Sequence, residues 1–111
     1  MSNPQKNKGD RAELEAARLL SDLLGYDVRR ALGAGRAEDC GDLFGIPETV
    51  VQVKNYADVT RAVREALSTV VDQQRNARAP FGAAMIRRPG GKWFVAMTPE
   101  QFACLLREAL A

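Results

Sequence analysis

Two short apolar segments joined by a turn make up the run Gly41-Asp42-Leu43-Phe44-Gly45-Ile46-Pro47-Glu48-Thr49-Val50-Val51-Gln52-Val53-Lys54-Asn55. The second half of this run is β-branched, which predicts a strand. Because side chains alternate across a strand, Gln52 and Lys54 point to one face, and Val51 and Val53 point to the other. The segment from Cys40 to Ile46 can pair with this strand through the turn. A carboxylate from Asp42, a carboxamide and an ammonium group then converge.

Length and composition predict one globular domain. The chain has 111 residues, of which 46% are hydrophobic and 27% charged, and these values are ordinary for a soluble protein with a core of its own. No apolar run approaches the roughly 20 residues that a membrane span needs. The polar start of the chain lacks the apolar segment of a signal peptide. We therefore expect a cytoplasmic protein with no membrane partner.

The chain contains no histidine and only two cysteines, Cys40 and Cys104. The cysteines lack C-x-x-C spacing, and we expect both to be reduced and buried. Without histidine, Ser-His-Asp triads, Cys-His pairs and the usual zinc sites are excluded. Any chemistry must therefore rest on carboxylates, on lysines, or on a metal ion held by oxygen atoms.

Basic residues are clustered although the net charge is only +2. Acidic residues lie between the clusters, so any surface that binds phosphate is a local patch. The ordinary alternative for each cluster is a solvated face. The clusters are Lys6, Lys8 and Arg11; Arg29, Arg30 and Arg36; Arg61 and Arg64; and Arg87, Arg88 and Lys92.

The start of the chain predicts a flexible tail over residues 1–8 followed by a helix. Asp10 is an N-cap residue and the helix runs to about Leu24, where Gly25 ends it. Glu13 lies on the inward side of this helix, where a carboxylate is unusual unless it has a binding partner or a function. One reading is a capping box with Asp10. The other is a carboxylate that reaches toward the site at Asp42, and the two readings are compatible.

The remaining patterns predict an α/β domain in which helices cover a mixed sheet. Thr98-Pro99 is a helix start, and the turn Pro89-Gly90-Gly91 predicts a hairpin. In order, the predicted elements after the first helix are a strand over 26–32, a glycine-rich loop over 33–36, the two segments described above, a helix from Asp58 to about Arg78, strands Phe81 to Ile86 and Trp93 to Met97, and a third helix with a buried face of Phe102, Leu105, Leu106 and Ala109.

Asp42 followed by Gln52-Val53-Lys54 resembles the motif of the PD-(D/E)XK nucleases, with glutamine at the position of the acidic residue. The likeness extends to Lys8-Gly9 followed by Glu13, and to Arg29-Arg30-Ala31-Leu32-Gly33-Ala34-Gly35. Together these resemble the Holliday junction resolvases of the archaeal and phage type. The loop departs from that pattern, because Ala34 stands where those resolvases carry a serine.

The resemblance implies a PD-(D/E)XK nuclease-like, restriction-endonuclease-like α/β fold, with a mixed five-stranded sheet flanked by three helices in a single nuclease-like domain over residues 9–111. It implies catalytic roles for Glu13, Asp42, Gln52 and Lys54. It also implies a Mg²⁺ or Mn²⁺ ion held by Asp42, Gln52, the Val53 carbonyl and Glu13. Such an ion prefers hard oxygen ligands.

The expected activity is that of a Mg²⁺-dependent, structure-selective endodeoxyribonuclease, a Holliday junction resolvase acting on four-way junctions in DNA recombination and repair. Symmetric cutting of a junction requires a homodimer, and the host would be a bacterial, archaeal or phage-infected cell. The expected DNA-binding residues are Lys8, Arg11, Arg29, Arg30 and Arg36.

Three alternatives remain open. One is another PD-(D/E)XK endonuclease of repair or restriction type. The second is a DNA-binding module without catalysis, which Gln52 and Ala34 favour and the pair Asp42 and Lys54 opposes. The third is a plain interaction domain with incidental basic clusters. Taken singly, Lys54 can also be a surface strand residue and Asp42 a turn former.

Overall fold

The computed structural model describes residues 3–31 and 39–111. Within these two ranges, three helices and five strands follow one another in the predicted order, and the structure is of the α/β class. The elements are α1 (Pro4–Leu24), β1 (Arg29–Arg30), β2 (Leu43–Phe44), β3 (Thr49–Lys54), α2 (Val59–Ala77), β4 (Phe81–Arg88), β5 (Lys92–Ala96) and α3 (Pro99–Ala109).

The expectation of one five-stranded sheet is wrong, because the described strands form two separate sheets. β1 and β2 pair antiparallel, with Arg30 opposite Leu43. In the second sheet β3 runs parallel to β4, and β4 antiparallel to β5. The two sheets stay apart because Asp42 interrupts the pairing of β2 with β3. The N–H of Asp42 donates to the carbonyl of Val51 (2.9 Å). The N–H of Val53, however, donates to the side chain of Asp42 instead of to a backbone carbonyl.

α1 begins earlier than the sequence pattern predicts. Asn3 is the N-cap, and its side-chain oxygen accepts two backbone N–H groups at 3.1 and 3.2 Å. Pro4 follows at the first helical position, which its fixed φ favours. Residues 4–8, expected to lack fixed structure, are therefore helical, and Asp10 lies inside the helix instead of capping it. The end of the helix at Gly25, with φ of +79°, is as predicted.

α2 connects the parallel strands β3 and β4, as a crossover helix must. Its N-cap is Asp58, as predicted, and the side chain accepts the N–H of Arg61 at 3.0 Å. The predicted hairpin forms between β4 and β5, and Thr98 caps α3. These elements carry their own start and stop signals, which explains why the sequence places them well.

Two apolar clusters lie on opposite faces of the three-stranded sheet. Alternation along β3 turns its valines at 51 and 53 toward α1, and Gln52 toward α2. The α1 cluster consists of Ala12, Ala16, Ala17, Val28, Leu43, Val51, Val53 and Met85. The α2 cluster consists of Ala62, Ala66, Val70, Ala84 and Ile86. A polar side chain of β3 therefore lies inside the layer between the sheet and α2.

α3 does not have the buried face that its apolar spacing predicts. None of its residues, all of which the structure describes, is buried, and Phe102 is 54% exposed. The helix follows the edge strand β5 and approaches β4 near its own beginning, where Gln101 Oε1 accepts the N–H of Gly82 at 2.9 Å. Apolar spacing reveals that a helix has a face to cover, but not whether this chain covers it.

Candidate functional site

Asp42 lies at the outer edge of β3, beside the segment that carries Gln52 and Lys54. Its Oδ2 accepts the N–H of Val53 at 2.8 Å. The other carboxylate oxygen, Oδ1, has no hydrogen-bond partner in the described part of the chain. The side chain is held by the backbone of the motif strand, at the residue between Gln52 and Lys54.

The environment of Asp42 opposes its ionisation. The pKa of this carboxyl is raised from 3.8 to about 6, mainly by burial, and the nearby charges of Glu13 and Asp39 act in the same direction. The N–H of Val53 and the ammonium group of Lys54 act in the opposite direction. A buried carboxyl near two other carboxylates is stabilised in its charged form by a cation. Such perturbed groups are concentrated at functional sites.

Lys54 and Gln52 share the α2 side of β3, as alternation predicts. Lys54 is half-buried, and its Nζ donates to the hydroxyl of Tyr56 at 3.1 Å and lies 5.1 Å from the centre of that ring. It forms no ion pair with Asp42 in the described residues. The amino group of Lys54 is therefore positioned beside the site by an aromatic side chain.

Gln52 is only 7% exposed, and its Oε1 accepts an N–H from Nε2 of Gln73 on α2. The same Nε2 lies 3.1 and 3.0 Å from the two carboxylate oxygens of Asp39. The oxygen expected to bind a metal is thus engaged by α2. Gln73 is itself buried, with only 1% of its surface exposed.

Glu13 lies near Asp42, but the predicted capping box does not form, because Asp10 is not at the helix start. Its Oε1 accepts a hydrogen bond from Nε of Arg30 at 3.0 Å. Nη2 of Arg30 also binds Asp10 at 2.9 Å. The guanidinium group of Arg30 thus binds two carboxylates of α1, and these partly neutralise its charge. The Arg30 side chain is also half-buried.

The other expected DNA-binding residues are distributed over different surfaces. Lys8 and Arg11 line a cavity of about 410 Å³, together with Asn55 and Arg87. Arg87 is paired with Glu15 in this cavity, and Trp93 Nε1 donates to the same carboxylate at 2.8 Å. Arg29 is exposed and pairs with Asp27. Arg36 lies outside the described residues, as does the glycine-rich loop over 33–36.

Asp39 and Gln73 are the site residues that sequence reasoning missed. The signal for Gln73 is its spacing on α2, because it continues the buried series of Ala62, Ala66 and Val70. A polar residue in an apolar stripe needs a hydrogen-bond partner. No local pattern identifies Asp39, because its contacts with Gln73 and Asn76 join residues more than 30 positions apart.

The donor atoms at β3 fit a hard divalent cation in part. Oδ1 of Asp42 is free to bind, and the carbonyl of Val53 lies on the same strand edge as its N–H. Glu13 is near but bound to Arg30, and the Gln52 oxygen faces Gln73. Among residues 3–31 and 39–111, no three cysteine, aspartate or glutamate side chains are grouped as a metal site.

The two cysteines are free and half-buried.

In the described ranges, the structure contains no helix whose length and apolar character would allow it to span a membrane. No protein-family model matches the chain, and comparison with curated proteins and with solved structures also found no match.

Proposed function

We propose that this protein is a metal-dependent, structure-selective DNA endonuclease that resolves four-way junctions, as the resemblance to the Holliday junction resolvases implies. One observation carries the proposal. The Asp42 carboxylate is fixed against the backbone between Gln52 and Lys54, with one oxygen free and with the charge of Glu13 close by. Carboxylates near one ammonium group suit hydrolysis of a phosphodiester with the help of a divalent cation.

When bound, Mg²⁺ or Mn²⁺ supplies a more acidic water molecule and neutralises phosphate oxygens. Oδ1 of Asp42 and the Val53 carbonyl are the groups of this chain that would hold it. Lys54 stabilises the negative charge that develops on the phosphate, and Tyr56 keeps its Nζ in place. Arg30 holds Glu13 toward the same region. Each of these groups is fixed by a neighbour, as preorganised catalysis requires.

DNA would be bound by phosphate contacts on the same side of the molecule as α1. Lys8 and Arg11 line the 410 Å³ cavity and form no ion pairs within the described ranges. Both are therefore available to a phosphate group, whereas Arg29 and Arg30 are partly neutralised by Asp27, Asp10 and Glu13. Contacts of this kind are salt-sensitive.

Cutting a junction in two strands of like polarity requires two copies of the chain. The exposed apolar face of α3, which consists of Phe102, Leu105, Leu106 and Leu110, is the surface that we assign to a two-fold homodimer. We place the protein in the cytoplasm, where its DNA substrate is.

A DNA-binding module without catalysis is the second candidate. It is favoured by Gln52, which brings no charge and whose oxygen is engaged by Gln73. Other endonucleases of repair or restriction type share the chemistry proposed above and differ in substrate.

The test is cleavage of a labelled four-way junction and of the matching linear duplex, with Mg²⁺ and with EDTA. Asp42→Asn is the inactive variant, because its amide oxygen can still accept the Val53 N–H, and Asp72→Asn is the control for loss of one charge. Paired nicks in the junction alone, lost with EDTA or in Asp42→Asn but kept in Asp72→Asn, are expected. Equal cutting of the duplex would replace the junction assignment with a general endonuclease. Salt-sensitive binding without cleavage would establish the non-catalytic module.

A further inference from the structure

The amide group of Gln73 has an unbalanced set of contacts. Its Nε2 carries two hydrogens, yet three oxygens surround it: Oε1 of Gln52 and both carboxylate oxygens of Asp39. Its Oε1, by contrast, has no partner within residues 3–31 and 39–111, and the side chain is 1% exposed. A buried amide oxygen without a hydrogen bond is costly, so its persistence needs an explanation.

The position of the Gln73 Oε1 atom explains why it has no hydrogen-bond partner. Oε1 and Nε2 of Gln73 are bonded to the same carbon, so the unpartnered oxygen lies beside the group of three acceptors. The two ends of an amide have almost the same shape. If the amide turned over, its oxygen would face Gln52 and Asp39, and four oxygens would meet. That arrangement is stable only around a cation, and hard divalent ions prefer such ligands.

Asp39 is fixed although it is exposed. Its Oδ1 accepts the N–H of Gly41 at 3.0 Å, and its backbone carbonyl accepts Nδ2 of Asn76 on α2 at 2.9 Å. Its charge is close enough to Asp42 to disfavour ionisation there. A second carboxylate is thus held near Asp42 and in contact with the amide that engages Gln52.

We infer that Asp39 supplies the carboxylate charge that Gln52 lacks, and that the Gln73 amide turns over to give its oxygen to a divalent cation at this site. The inference rests on the proposed function, since the ion is the one assigned to Asp42. It goes beyond that function by assigning Asp39 and Gln73 to the ion. Both residues are ligands of the ion and have no contact with the reacting phosphate.

The test is Mn²⁺ binding at neutral pH, measured by electron paramagnetic resonance of the free ion, with thermal unfolding in EDTA as a second readout. Asp39→Asn is expected to weaken Mn²⁺ binding by about tenfold or more. Gln73→Glu places a carboxylate oxygen at the position that faces Gln52 and Asp39, where the amide oxygen would lie after turning over. It is expected to tighten Mn²⁺ binding by about tenfold while lowering the unfolding temperature in EDTA, because the new charge then faces Asp39. Asp72→Asn on the exposed side of α2 is the control and should bind as the wild type does.

The outcomes separate this inference from the proposed function. If Asp42→Asn loses Mn²⁺ binding while Asp39→Asn binds like the wild type, the inference is overturned and the proposed function stands. If Gln73→Glu lowers the unfolding temperature and does not tighten binding, Gln73 has only a structural role. If the wild type binds no Mn²⁺, the inference and the metal-dependent activity are both overturned. Cleavage of the junction that is weakened in Asp39→Asn and restored by higher Mn²⁺ would agree with the inference.

Discussion

The carboxylate of Asp42 takes the place of a backbone partner for Val53. Its Oδ2 accepts the Val53 N–H at 2.8 Å, and the N–H of Asp42 binds the carbonyl of Val51 at 2.9 Å. The side chain therefore continues the hydrogen-bonding pattern of β3 where β2 turns away. Its position is set by the strand backbone, so the site stays in place when surface side chains move.

Stability should fall as the pH rises through the titration of Asp42. Its pKa in the folded state, about 6, is above the ordinary 3.8, so the folded protein binds the proton more tightly than the unfolded chain. The contribution is fully present below about pH 4 and is lost as the pH rises past 6. It amounts to about 3 kcal/mol if the whole shift is realised. Urea unfolding in EDTA between about pH 4 and 7.5 measures this contribution to the free energy of unfolding.

Asp42→Asn is the matched variant for that experiment, because it cannot titrate and keeps an acceptor for Val53. The difference in unfolding free energy between wild type and variant isolates this group from the other carboxyls. A difference that does not vary with pH would show that Asp42 has an ordinary pKa.

Two neighbouring arginines should differ in their contribution to stability. Arg30 is 29% exposed and binds both Asp10 and Glu13, whereas Arg29 is 74% exposed and binds only Asp27. We expect Arg30→Met to lower the unfolding free energy by about 1–2 kcal/mol, and Arg29→Met to change it by less than about 0.5 kcal/mol. Equal effects in denaturant titrations would contradict the role assigned to Arg30.

Two glycine-to-alanine substitutions should change the stability of the protein in opposite directions. A Cβ at Gly82 would lie 2.5 Å from the Gln74 side chain and 2.7 Å from Val70, so Gly82→Ala should destabilise the protein by about 1–3 kcal/mol. Gly9 is inside α1, and a Cβ there meets nothing within 4 Å. Gly9→Ala should therefore stabilise the protein by about 0.5–1 kcal/mol. Thermal unfolding of both variants checks the close packing of α2 on β4.

The exposed face of α3 should control self-association. Phe102→Glu adds a charge to this face, and we expect it to convert a dimer into a folded monomer, because Phe102 is 54% exposed and does not belong to the core of one chain. Leu23→Glu on α1, at a leucine that is 72% exposed, is the control and should remain dimeric. Light scattering coupled to size exclusion measures the mass. A wild type that is monomeric at high concentration would rule out this surface as a dimer interface.

Local signals account for the elements that the sequence predicts well. Asp58 and Thr98 cap α2 and α3, and Gly25 ends α1, because each acts on backbone groups within one helical turn. The start of α1 carries a similar signal, since Asn3-Pro4 is a cap followed by a favoured first residue, but Asp10 also fits the pattern of an N-cap and predicts a later start. The side-chain alternation that directs Gln52 and Lys54 to one face is local in the same sense.

Relationships between distant residues account for the failures. The division into two sheets depends on whether β2 pairs with β1 or β3, and the alternation of each strand is compatible with either. The buried pair of Gln52 and Gln73 joins β3 to α2 across 21 positions. Of the candidate site, the nearness of Asp42 to Val53 could be predicted from the sequence, and the contribution of Asp39 could not.

The outer edge of β3 has a further consequence for handling the protein. A strand edge with free backbone groups is a template on which another chain can add a strand and begin to aggregate. Here Asp42 occupies one N–H of that edge and places a charge beside it. Removing the carboxyl entirely, as in Asp42→Ala, opens this edge to a second chain. We therefore expect the residue proposed for the chemistry to hinder strand addition as well, so that Asp42→Ala precipitates where Asp42→Asn stays dispersed.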